Sequence, residues 1–444
     1  MGRDDRLSAD VVVLGGGMAG MTVAATAAQA GASVVVVDVA DRPGGSAALS
    51  EGYVWTAPSA EVFTEQDPGG DVERFGAMLE GLPEAFAWVE SLGVQVGPQL
   101  SGILGFGTGR QIDVLGYLRR CRGLVEGGGG WVLPSTEPVR LLRDADAVTG
   151  VRVREAGDGS GETMEIEAPA VVLATGGFQA DPEAREELLF PGAGRLVLRA
   201  SPYGRGGGLR LGTAAGGDLT GPTDGFYGHL VPYPIEDFAP KDFALLAQYH
   251  SEHGLLFGRD GRRFTDESLG DHVNTELVAR RGTALLLIDE RIRREQVLRP
   301  FIPGMDAVDK MAEAGARGAH YATGPTVADV ASAASAWGYP ASLIERGVAE
   351  FNAAVRRGTC DRRYHRMPLT EPPFAVLEVQ AAITFTYRGL ATDVDGRVLG
   401  GGRPVPGLYA AGVDAGGLNV RGYTGGLVRG LVLGRRTGRA VVSG

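Results

Sequence analysis

Between Val11 and Val37 the chain carries no charged side chain, and the character of that apolar run changes along its length. Val11–Leu14 is continuous and β-branched, the pattern of a strand buried on both faces. Met18 to Ala30 is built of small residues that suit a helix, Gly31 interrupts it, and Ser33–Val37 is β-branched again and ends at Asp38. The prediction is strand, helix, strand. An uncharged run of this length is also what a membrane-spanning helix requires. Its five glycines and its switch from strand-like to helix-like composition oppose a lipid-facing helix.

Further along, apolar residues at helical spacing (Phe75, Met78, Leu79, Leu82, Phe86, Val89) predict a helix over 71–93 with Gly93 as its stop, and 111–125 reads as another. Trp131–Leu133, Val139–Leu142 and Val148–Arg154 read as strands of a meander. Glu165–Leu173 reads as one buried strand running into Ala174-Thr175-Gly176-Gly177-Phe178. Leu255–Glu267 has apolar residues, an Asp260-Gly261 turn and a second strand, which predicts a hairpin. Residues 326–357 predict two helices broken at Gly338-Tyr339-Pro340, with Trp337 and Phe351 in the core. Near the end come a hairpin at Asp393–Val398, a strand at Gly407–Gly412 and a helix opening at Arg421 and running to about Val442.

Composition narrows the class. The 444 residues suffice for two domains with sizeable cores. Glycine, at 71 residues, is about twice as common as usual, which suits a backbone that approaches a large ligand in many places. A net charge of −11 disfavours nucleic acid or an anionic membrane as partner. Cys121 and Cys360 lie far apart, so there is no CxxC redox pair, zinc pattern or disulfide framework. The mixed-charge start Arg3, Asp4, Asp5, Arg6 does not fit a secretory signal, and the expected location is cytoplasmic.

Gly15, Gly17 and Gly20 form G-x-G-x-x-G between the first strand and its helix. Gly15 permits the tight turn, Gly17 lets a pyrophosphate reach the backbone, and Gly20 lets the helix lie close on the strand. The helix start offers N–H groups and partial positive charge to phosphate. Asp38, 23 residues after Gly15, is placed to accept from an adenosine ribose. The Asp41–Gly52 loop follows the second strand directly and is expected to line the same cofactor. Tyr249-His250-Ser251-Glu252-His253 is a second polar cluster, and His229 is a further candidate. With no third ligand at a suitable spacing, no metal is assigned.

The segments GGGMAG, GGSAALSEG, VVLATGGF and GLYAAGVDAGG together resemble the FAD-binding domain of the fumarate reductase and 3-ketosteroid dehydrogenase flavoproteins, over nearly the whole chain. The resemblance implies an α/β, Rossmann-like FAD-binding domain split in sequence (1–222 and 376–444) around an inserted α+β capping or substrate domain (223–375). Prolines at 222, 232, 234 and 240, then at 368, 372 and 373, punctuate the two joints. It places non-covalent FAD on Gly15, Gly17, Met18, Ala19, Gly20, Asp38, Gly45, Ser46, Gly52, Val139, Ala174, Thr175, Gly176, Gly412, Asp414, Gly425, Gly426 and Leu427. The Gly45–Ser50 loop has no histidine for covalent attachment. A second nucleotide unit for NAD is missing, since Gly206–Gly208 lacks a preceding strand.

In the same family a G-x-R-F-x-N-E signature precedes the proton-transfer residue by four positions. Here Gly261–Glu267 matches with Asp266 for Asn, and Asp271 or His272 follows. By itself Ser268–His272 is equally an exposed turn. Phe385 stands where fumarate reductases carry a substrate-carboxylate histidine, with Tyr387 and Arg388 beside it as substrate-binding candidates. Tyr423 stands in place of a carboxylate-clamping arginine, in an Arg-Gly-Tyr context like that of the Δ4-(5α) ketosteroid dehydrogenases, where the tyrosine donates to the substrate ketone. The implied activity is FAD-dependent desaturation of a CH–CH bond next to a carbonyl, with hydride passing to flavin N5. The alternative is reduction of an unsaturated acid held by Arg388 and Arg421. A non-catalytic flavin-binding protein is the third reading. Partners would be a small-molecule substrate and an unidentified electron donor or acceptor.

Overall fold

The computed structural model describes residues 6–157, 159–300 and 307–443; Arg3, Asp4 and Asp5 lie outside them, as does the Arg6 side chain. The chain divides into two compact units, one of Met1–Phe190, Ala200–Phe226 and Phe385–Gly444, the other of Pro191–Arg199 and Tyr227–Thr384.

The first unit is built on a six-stranded sheet in the order 397–400, 403–410, 170–173, 11–14, 34–37, 131–133. All neighbours are parallel except the Arg397–Gly400 and Arg403–Ala410 hairpin at one edge. Every residue of Val11–Leu14, Val34–Val37 and Ala170–Leu173 is buried, which is why those strands are unbroken apolar runs. The Met18–Gln29 helix packs on the helices Val114–Gly127 and Gly434–Ser443. Its small residues permit close contact: a Cβ on Gly434 would lie 3.2 Å from the Ala19 carbonyl, and one on Gly438 would lie 2.7 Å from Thr26 Cβ.

Two expected strands fall elsewhere. Trp131–Leu133 is the sheet's edge, parallel to Val35–Val37, and not part of a meander. Glu165–Leu173 is two strands, Thr163–Glu167 and Ala170–Leu173. Pro169 between them has no N–H for a ladder. Thr163–Glu167 joins a separate four-stranded sheet with Arg6–Ser8, Ala147–Glu155 and Thr136–Asp144. The helix expected over 71–93 spans Val72–Ser91 and is capped by Asp71. That expected from 111 starts at Val114 behind an Asp113 cap, because Gly107–Gln111 pairs with Tyr53–Thr56. At the C-terminal end 421–426 is irregular, and helix begins only at Leu427, passing through a wide turn at Arg429–Leu433.

The second unit is a sheet centred on the long strand Phe374–Thr386, which pairs with Val197–Leu198, Thr283–Ile288, Phe226–Pro232 and Tyr321–Gly324. Because this strand is continuous, the change of unit comes at Thr384/Phe385, some residues beyond the expected 376. Pro191–Arg199 joins this unit because Val197 and Leu198 pair with Ala382 and Ile383. The helices Val327–Ser335 and Ala341–Arg357 form as expected; Phe351 is buried, whereas Trp337 is half-buried and stacks on His320. Leu255–Phe257 pairs with Thr283–Ile288, not with a hairpin partner; only Phe257 bridges to Arg263 across the Asp260-Gly261 turn. Beyond that turn the Glu267 carboxylate accepts from Leu256 N at 3.0 Å, doing what a second strand would have done. Among the described residues no helix is long and apolar enough to cross a membrane.

Candidate active site

In the first unit the glycine turn is a close-packed object. Gly15 has φ +112°, and a Cβ there would lie 2.1 Å from the Ala174 carbonyl. A Cβ on Gly20 would meet the Gly15 carbonyl at 1.8 Å, so no side chain fits where helix and turn touch. Gly17, Met18 and Ala19 open the helix, whose start has no side-chain cap and no acidic residue. A Cβ on Gly17 would have nothing nearer than the Gly44 carbonyl at 3.8 Å, and one on Gly45 nothing but Gly17 Cα at 3.5 Å. Uncapped N–H groups beside unfilled space are what a pyrophosphate needs.

The two acids are held inside this framework. Asp38 Oδ2 accepts from Gly16 N at 2.5 Å and Oδ1 from Ala40 N at 2.8 Å, while burial pushes its pKa up. Asp414 is fully buried and binds the Ala174–Gly177 turn: Oδ2 accepts from Thr175 N (2.5 Å) and Oγ1 (2.9 Å), and Oδ1 from Gly177 N (2.9 Å). Gly412 sits beside Ala19, and Gly176 has open space where a Cβ would point. Ser46 Oγ accepts from Ser201 N at 3.0 Å. Gly52 packs against the Ile112 carbonyl, and Val139 is 38% exposed on the four-stranded sheet, beside the bulge that interrupts its register. The turn, helix start, Asp38, Gly45, Ala174–Gly176, Gly412 and Asp414 are thus linked contact by contact.

Gly425 and Gly426 belong to an aromatic cluster of the same unit. A Cβ on Gly425 would collide with the Trp55 carbonyl at 1.9 Å, and Gly426 N donates to Tyr423 Oη at 3.0 Å. The Tyr423 ring meets Trp55 edge-on at 5.2 Å and Phe385 at 5.9 Å; Phe385 in turn meets Tyr387 at 6.0 Å. Leu427 is half-buried at the helix start. Asp67, which the sequence did not single out, sets the approach to Tyr423. Its buried carboxylate accepts from the N–H groups of Val420, Arg421 and Gly422 and from Asn419 Nδ2, all at 2.7–3.1 Å.

Arg429 was also missed. It is 98% buried, its Nη2 donates to the Ala415 carbonyl at 3.0 Å, and its Nε and Nη1 have no partner. Burial, aided by Arg74, lowers its pKa to about 10. Among the described residues no carboxylate pairs with it; its guanidinium lies over the Phe385 ring, 5.8 Å from the centroid. Arg388 is half-buried with an unpartnered Nε, and Arg421 is exposed.

In the second unit Asp271 is no exposed turn residue; it opens the Asp271–Ala279 helix with only 7% of its surface exposed. Its Oδ2 bonds His229 Nδ1 at 2.5 Å and its Oδ1 accepts from Ser251 Oγ at 3.2 Å. His229 Nε2 bonds Tyr227 Oη at 2.7 Å. Tyr227 and His229 alternate along Phe226–Pro232 and so share a face, a period-two signal present in the sequence and not used there. Burial raises the Asp271 pKa to about 7 against the nearby His272 charge. Burial, with Arg199, His272 and Lys310, holds His229 well below the usual imidazole value. Both shifts disfavour an Asp⁻–His⁺ ion pair. Arg199 Nη2 donates to Tyr249 Oη at 3.1 Å; Lys310 lies over the same ring, and burial lowers its pKa to about 8. His272 is half-buried, and its charge acts on both His229 and Asp271.

Elsewhere in this unit His253 Nε2 lies 3.3 Å from Glu252 Oε1, and His365 Nε2, from far along the chain, lies 3.9 Å from the same oxygen. The sequence held no local sign of that third group.

A mainly parallel sheet, a glycine turn opening an uncapped helix, and buried acids fastening the adjoining loops define a dinucleotide-binding fold of the flavoprotein kind. The chain belongs to the family described as FAD binding domain, which it matches over residues 10–426. It is similar to the vinyl phenol reductase of Lactiplantibacillus plantarum, at 26% identity over 93% of this chain and 90% of that protein. It is also similar to the fumarate reductase (cytochrome) of Shewanella frigidimarina, at 25% identity over 94% and 74%. Among solved structures, the 3-ketosteroid-Δ4-(5α)-dehydrogenase of Rhodococcus jostii RHA1 superposes with a TM-score of 0.76 at 22% identity, covering 98% of this chain and 97% of that one. The chain is an FAD-dependent oxidoreductase. The residues present fit FAD: uncapped N–H groups and open space at Gly17 for the pyrophosphate, and the unpartnered N–H groups of Arg429 for an electron-rich edge.

Proposed function

We propose that the enzyme forms a carbon–carbon double bond next to a carbonyl, with proton transfer carried by Tyr227 through His229 to Asp271. The observation that carries this reading is the unbroken chain Tyr227 Oη–His229–Asp271 at 2.7 and 2.5 Å. Asp271 is then the store of the proton, and Tyr227 is the group that exchanges it with substrate. Tyr423 Oη accepts from Gly426 N, which fixes the phenol, and its Arg-Gly-Tyr context supports assigning it the donor role to the carbonyl oxygen, which acidifies the α-carbon. Tyr227 takes the α-proton as its own passes to His229 Nε2 and the Nδ1 proton passes to Asp271. Bound FAD, which we read as non-covalent, supplies the redox chemistry, exchange of hydride with the β-carbon. We assign FAD binding to the first compact unit and proton transfer to the second.

The relay also runs in reverse. With Asp271 protonated, its O–H donates to Nδ1 and the imidazole takes the other tautomer, so that Nε2–H donates to Tyr227 and the phenol serves as the acid. This supports the second reading, reduction of an unsaturated acid, to which Arg388 with its unpartnered Nε would contribute a cation. Anaerobic bleaching of the flavin by saturated cyclic ketones, set against reoxidation of the reduced enzyme by enones and enoates, decides between them. Bleaching by ketones is expected. Turnover with enoates alone would transfer the assignment to the second reading, and neither reaction would dismiss both.

A further inference from the structure

The geometry points to a binding site for one divalent cation of the zinc class, formed by Glu252, His253 and His365 in the second unit. The inference is independent of the reaction proposed above. One carboxylate oxygen faces two imidazole nitrogens, Glu252 Oε1 to His253 Nε2 at 3.3 Å and to His365 Nε2 at 3.9 Å, and the three residues each offer a ligand atom within 4.8 Å of the other two. Ligands about 2.0–2.1 Å from a tetrahedral ion stand roughly 3.3–3.5 Å apart. The cluster therefore needs a contraction of well under 2 Å on its longest side, which side-chain rotation supplies. Two imidazoles with one carboxylate select a borderline d-block cation over magnesium or calcium, and leave a fourth position for water.

Backbone restraints hold the two histidines in place although 112 positions separate them. Arg362 is fully buried, and its Nη1 donates both to the His253 carbonyl (3.4 Å) and to the His365 carbonyl (3.3 Å). Its Nε donates to Glu267 Oε2 at 3.1 Å, which balances its charge inside the fold. The segment carrying His365 is fastened again where Arg363 N donates to Asp266 and Tyr364 N to Ser268 Oγ. His365 itself has φ +50°, an uncommon conformation for a residue with a side chain, and its ring lies 4.1 Å from that of His253. The side chains of all three remain partly exposed, at 34%, 16% and 38%, so an ion has a way in.

The long connection between Ala341–Arg357 and Phe374–Thr386 has no helix or strand of its own. A cation at this point fixes that connection to the Tyr249–Glu252 turn, and so acts as a structural staple.

The test is calorimetric titration of ZnCl₂ into tag-free, FAD-loaded, chelator-treated protein, with melting temperature followed in parallel. One ion per chain and a raised melting temperature are expected. Glu252→Gln and His365→Ala should each weaken binding by more than the roughly 10–100-fold cost of losing an outer-shell partner, and abolish the thermal shift. His365→Asn, which tolerates the left-handed backbone, decides the matter if the alanine variant fails to fold. His320→Ala, a partly exposed histidine paired with Glu378, should leave binding unchanged. Absence of stoichiometric binding by the wild-type protein, or equal binding by Glu252→Gln and His365→Asn, overturns the proposal.

Discussion

Asp271 ionises near pH 7, and the free carboxyl near 3.8, because folding removes it from water. Two consequences have opposite readouts. Desaturation needs the ionised acid at the end of the relay, so its rate should rise with pH through about 7, while the reverse reduction should fall over the same range. Stability follows the proton: between pH 3.8 and about 7 the folded chain holds a proton that the unfolded chain has released. The contribution is therefore whole below 3.8 and lost as pH rises through 7. Asp271→Asn should flatten both the rate profile and this slope in melting temperature. Tyr227→Phe should lower turnover by about 100-fold or more, the usual share of a general acid or base, with FAD content unchanged by absorbance. If Tyr227→Phe turns over at the wild-type rate, the relay does not carry the proton.

Where a carboxylate replaces a ladder or a cap, an element depends on a single side chain. Asp67→Ala would strand three backbone N–H groups ahead of Tyr423, each costing about 1–3 kcal/mol when buried; a lower melting temperature and weaker FAD retention are expected. Asp67→Asn, with one acceptor oxygen left, should cost less. Arg362→Met would remove one of the two arginines paired with Glu267 and leave buried carbonyls without donors, each costing about 1–3 kcal/mol, a loss measurable by denaturant unfolding. These dependencies explain what could be read in advance. Val11–Asp38 was legible because strand, glycine turn and helix are each dictated by neighbouring residues. The Glu165–Leu173 break was also written there, in Pro169. The Leu255–Glu267 hairpin was not legible, because whether Glu267 or a second strand satisfies Leu256 depends on two arginines, one of them Arg362 from much later in the chain.

Legibility over the full chain follows the same division. The FAD-binding framework rests on glycines whose necessity is local: Gly15 and Gly20 touch backbone within a few residues of themselves or in one neighbouring strand. The polar clusters of the second unit are assembled from afar, as in Tyr227 and His229 with Asp271 and Glu252 with His365, and nothing in the neighbouring residues announces those pairings. The order of strands in the first sheet has a consequence for synthesis. Ala170–Leu173 pairs with Val11–Leu14 on one side and Leu408–Ala410 on the other. A ribosome delivers the second partner only after Tyr227–Thr384 has emerged in full. The nested unit can then finish folding first, while the enclosing one waits with an open strand edge. A nascent chain halted before Arg403 would present that unpaired edge to chaperones, and aggregation during expression should track the speed of translation across the codons that supply the Arg403–Ala410 strand.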